Sequence, residues 1–70
     1  MENKDPIDLG LEFIQTCCEA QNQFDNWVEH FNERELRAHF KRLVEIRSHL
    51  NDIARESRVL VQELSEFNPG

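Results

Sequence analysis

LRAHFKRLVEIRSHLNDIARESRVLVQELSEF, residues 36–67, decides the fold. Leu36, His39, Leu43, Ile46, Leu50, Ile53, Ser57, Leu60, Leu64 and Phe67 follow one another at alternating steps of three and four, and eight of these ten are apolar. A seam kept in phase over more than four heptads predicts a long α-helix with coiled-coil-like packing. Phe40, Ala54 and Val61 add a neighbouring column and widen the apolar stripe.

Upstream, residues 6–31 carry a second helical pattern. Lettered with Ile7 at a, the a, d, e and g columns hold Ile7, Gly10, Leu11, Phe13, Ile14, Cys17, Cys18, Ala20, Phe24, Trp27, Val28 and Phe31, with Gln21 and Asp25 as polar exceptions. Four contiguous columns cover about half the helix circumference, wider than an ordinary surface stripe, so this helix needs more than one neighbour. Asp5-Pro6, with Asp8 behind it, reads as an N-cap with proline in the first turn. Asn68-Pro69-Gly70 reads as the stop of the second helix.

Between the patterns lies Asn32-Glu33-Arg34-Glu35. Asn32 and Glu35 have capping-box spacing, and Phe31 and Leu36 flank them as a hydrophobic staple would. The expectation is an all-α antiparallel helical hairpin forming a single domain over residues 1–70: helix one about 6–31, turn about 32–35, helix two about 33–67. One long bent helix is the alternative. Counted from the turn, helix two should overrun helix one by roughly 13 Å, leaving residues 58–67 without an intramolecular neighbour.

A chain of 70 residues with 39% apolar content buries a smaller share of its surface than larger domains do. Chains of this size recover stability through disulfides, metals or association. Cys17 and Cys18 are adjacent and close no loop; they read as small packing residues in a reducing compartment. Association is the remaining route. The simplest form is a homodimeric four-helix bundle, and capture of another helical protein is the second.

The start, Met-Glu-Asn-Lys-Asp-Pro, lacks the apolar segment of a secretory signal, and no apolar run approaches the length of a membrane span. A cytoplasmic location is expected. The net charge of −6 is carried by residues 1–32, whereas acids and bases balance over residues 33–70. That distribution disfavours bulk attraction to nucleic acid or to anionic membranes.

Phe24, Trp27 and Phe31 suit a bundle core or an aromatic anchor for a partner. With Leu60, Val61, Leu64 and Phe67 they form the expected partner or oligomer interface. Arg34, Arg37, Lys41 and Arg42 make a basic patch able to meet phosphates, although Glu29, Glu33, Glu35 and Glu45 stand close by. His30, His39 and His49 do not have the spacing of a zinc or di-iron site. No glycine-rich loop or nucleophile elbow is present, and the chain has no tyrosine. No catalytic residue, cofactor, metal or small-molecule substrate is expected. The function expected is a non-enzymatic adaptor, regulator or inhibitor acting through helical contacts; a nucleic-acid-binding regulator using the basic patch is the alternative.

Overall fold

The computed structural model describes residues 5–67 and contains two helices, α1 (Pro6–Glu29) and α2 (Glu33–Phe67). Among the described residues there is no strand. The expected stop at Asn68-Pro69-Gly70 lies outside them.

The Asp5 carboxylate accepts the Asp8 N–H at 2.9 Å, closing the N-terminus of α1 over Pro6. That helix ends two residues earlier than its apolar pattern. The His30 N–H turns back to the Trp27 carbonyl and the Phe31 N–H to the Val28 carbonyl, each at 3.0 Å. The His30 imidazole also bonds the Asn26 carbonyl through Nδ1, at 2.8 Å. These shorter-span bonds satisfy terminal carbonyls without a glycine. The turn is therefore His30–Asn32 rather than 32–35. Asn32 and Glu35 form the expected capping box: the Glu35 N–H donates to Asn32 Oδ1 at 2.8 Å, and the Asn32 N–H to Glu35 Oε1 at 3.0 Å.

Three contacts fix the antiparallel register. Gly10 lies against Val61, Gln21 against Asn51, and Asp25 against Arg47. Carried to the open end, this register sets Leu64 and Phe67 beside Asp5, Pro6 and Ile7, around one shallow hollow. The expected overhang of residues 58–67 is thus corrected: the two helices finish nearly level. Carried the other way, it brings Glu29 level with Leu43. The surplus length of α2 is then Glu33 to Arg42, at the turn end, and it contains a kink where His39 leaves helical geometry (φ −120°, ψ 15°). Counting from the turn failed because the close approach at Gly10, not the turn, sets the register.

The seam is also rotated from its expected position. Leu43, Leu50, Ser57 and Leu64 face α1 as anticipated, but their companions are Arg47, Ala54 and Val61. The column His39, Ile46, Ile53, Leu60, Phe67 is turned toward one broad side of the hairpin, with Ile53 46% and Leu60 55% exposed. Small or ion-paired side chains let this second column settle on α1: Ala54 is buried, Val61 has Gly10 beneath it, and Arg47 reaches Asp25. Only Cys17, Phe24, Leu43 and Ala54 are buried among the described residues.

Candidate protein-binding face

The two broad sides of the hairpin differ in chemistry. One is crossed by a polar ladder. Arg47 grips Asp25 with two hydrogen bonds, Nε to Oδ1 at 3.0 Å and Nη2 to Oδ2 at 3.1 Å. Its Nη1 donates to Asn51 Oδ1 at 2.8 Å, and the same oxygen accepts from Gln21 Nε2 at 2.9 Å. Arg58 continues the ladder to Cys18 Sγ at 3.5 Å. The polar exceptions in the α1 pattern, Gln21 and Asp25, are therefore the inter-helix clasp. They stand on the flank of the seam, where solvent still reaches the bidentate Asp25–Arg47 pair. Beside the clasp this side also carries an apolar hollow, where exposed Phe40 and Val44 meet Val28 and Leu36.

The opposite side carries apolar columns on both helices. Along α1 it presents Phe13, Ala20 and Trp27, seven residues apart, with Phe13 50% and Trp27 57% exposed. Along α2 it presents Ile46, Ile53 and Leu60, also seven apart. Trp27, Phe31, His39 and Ile46 line one hollow, which confirms that the two columns share a side. Ile53 and Leu60 line the next, with His49 and Glu56 at its rim.

The aromatic cluster near the turn is a ladder of edge-to-face pairs. Phe24 and Trp27 have ring centroids 6.0 Å apart at 80°, and Trp27 and Phe31 5.5 Å apart at 77°. Phe24 is buried against α2, Phe31 is half-buried and Trp27 stands out. Thus Phe24 is a core residue that props Trp27 in a fixed orientation. Of the other expected interface residues, Leu60 and Phe67 are exposed, whereas Val61 and Leu64 pack against α1. Phe13, Ile46 and Ile53 belong to the apolar side and were not singled out from sequence. Their seven-residue spacing was the available signal, but it does not say which columns α1 covers.

In the basic patch, Arg37 pairs with Glu33 at 2.9 Å, and Arg42 lines the hollow beside Trp27. Arg34 and Lys41 are exposed. His30 caps α1, His39 sits at the kink and His49 lies at the rim of the apolar side. No group of three or more metal-ligating side chains converges among the described residues. Of the cysteines, Cys17 is buried, while Cys18 is half-buried and takes the Arg58 hydrogen bond. Among the described residues no helix is long and apolar enough to cross a membrane. Comparison of the chain with protein-family models, curated proteins and solved structures gives no match.

Proposed function

We propose that this chain is a small non-enzymatic adaptor, regulator or inhibitor that acts in the cytoplasm through helix-to-helix contacts and assembles with itself as a homodimeric four-helix bundle. The observation that carries the reading is the apolar face shared by both helices, on which Phe13, Trp27, Ile53 and Leu60 are all about half exposed. Exposed apolar surface spanning two helices marks an association site. The hairpin also needs a second neighbour for stability, since among the described residues no larger side chain is completely enclosed.

Nucleic acid is the weaker reading. Arg37 is engaged by Glu33, Arg42 borders the aromatic hollow, and the net charge is −6.

Sedimentation of the purified chain across a concentration series tests the proposal. A dimer at micromolar concentration, with a melting temperature that rises with concentration, is expected from mass action. A stable monomer whose melting is independent of concentration would refute self-assembly.

A further inference from the structure

On the reading that the chain self-associates, the apolar face determines how. We infer that two hairpins stack by this face about a two-fold axis perpendicular to the helices, passing between Ala20 and Ile53, so that α1 crosses α1 and α2 crosses α2 of the second copy, antiparallel in each case.

The inference rests on self-complementarity. The Gln21–Asn51 hydrogen bond sets Ala20 and Ile53 at nearly the same height, so one axis can serve both helices. On α1, Phe13 and Trp27 stand seven residues to either side of Ala20. Rotation about the axis lays Phe13 of one copy against Trp27 of the other, with the small alanine side chains meeting in between. On α2, Ile46 and Leu60 stand seven residues to either side of Ile53 and exchange places in the same way. Each pairing is thus made twice, once from either copy, as an isologous interface requires.

Charge supplies a second, independent match. The column bordering Ile46, Ile53 and Leu60 holds Arg42, His49, Glu56 and Glu63, all exposed and none held in an ion pair among the described residues. From Arg42 onward it runs from basic to acidic, the preceding member, Glu35, being the capping-box carboxylate. The same rotation brings Arg42 opposite Glu63 and His49 opposite Glu56 of the second copy. A two-fold axis parallel to the helices would instead keep α2 parallel to its copy and lose these pairings.

Cysteine cross-linking under mild oxidation tests the geometry, with the unmodified chain as control and linked peptides identified by mass spectrometry. Ile53→Cys should link efficiently to its own copy. Ile46→Cys and Leu60→Cys should link to each other when the two variants are mixed, and only poorly to themselves. Arg42→Glu should weaken dimerisation on the order of tenfold, since two symmetric pairs are lost, and Arg42→Glu with Glu63→Arg should restore it. A dimer in which Ile46→Cys links to itself as readily as Ile53→Cys would overturn this axis while leaving self-association standing. A chain that sediments as a monomer would overturn both.

Discussion

Val61 Cγ2 lies 2.6 Å from the position a β-carbon on Gly10 would occupy. This approach draws the open end of the hairpin together and sets the register against which every other pair is aligned. Gly10→Ala would gain about 1 kcal/mol of helix propensity, but it would force the branched valine aside at about 1–3 kcal/mol. A net loss of about 1 kcal/mol is the expected outcome in chemical denaturation. Shrinking the neighbour, in the double variant Gly10→Ala/Val61→Ala, should remove the clash and show a favourable coupling. Equal stability of Gly10→Ala and the parent chain would show that the contact can relax.

The Asp25–Arg47 clasp is bidentate yet only partly shielded from solvent. Its worth is therefore at the modest end for ion pairs, about 0.5–1 kcal/mol. Arg47→Ala should cost more than Asp25→Asn, because the guanidinium also holds Asn51. A double-mutant cycle on Asp25 and Arg47, measured at low and high salt, should give a coupling that shrinks as salt rises.

Capping at Asn32 offers a separate test. Asn32→Ala removes the acceptor for the Glu35 N–H and should lower stability by about 1 kcal/mol. Asn32→Gly should cost only a few tenths. If both variants lost the same amount, the side-chain bond would not be what stabilises the start of α2.

Leu60 and Leu64 are one helical turn apart but have different surroundings. Leu60→Glu changes an exposed residue of the apolar side, so the variant should keep its helical signal while losing assembly. Leu64→Glu places a charge where the side chain packs near Ile7, so the helical signal itself should fall at a lower temperature. Lys41→Glu, on the solvated face, should leave both readouts unchanged. Identical behaviour of the two leucine variants would mean that folding and assembly are one step.

The thiols should also separate. Cys18 is half-buried and Cys17 buried, so a thiol reagent should modify Cys18 first in the folded chain. Equal rates under native conditions would show that the seam opens readily.

Much of this was legible in the residues. The heptad through Leu43, Leu50, Ser57 and Leu64 fixed α2, and Asn32 with Glu35 located its start, because local periodicity and capping chemistry act within a few residues. The register was not legible. It depends on the missing side chain at Gly10 meeting Val61, a contact between residues far apart in sequence. Nor did the pattern say whether Ile53 or Ala54 would face α1, since both belong to apolar columns. The choice falls to Ala54 because Gly10, Cys17 and Asp25 offer a close, partly polar surface that suits Ala54, Val61 and Arg47 better than Ile46, Ile53 and Leu60. For the same reason the interface candidates Val61 and Leu64 sit against α1, while Ile53, expected in the seam, stands exposed beside it.

The surplus of α2 at the turn has a consequence for how the hairpin breathes. From Glu33 to Arg42 every residue but Leu36 is exposed, and the kink at His39 interrupts the helix in that stretch. Amide hydrogens there should exchange with solvent sooner than those around Ala54, because local opening uncovers almost no apolar surface. The covalently closed end of this hairpin is its loose end, and unzipping would begin beside the loop and stop at the buried Leu43, ahead of the clasp of Asp25 and Arg47.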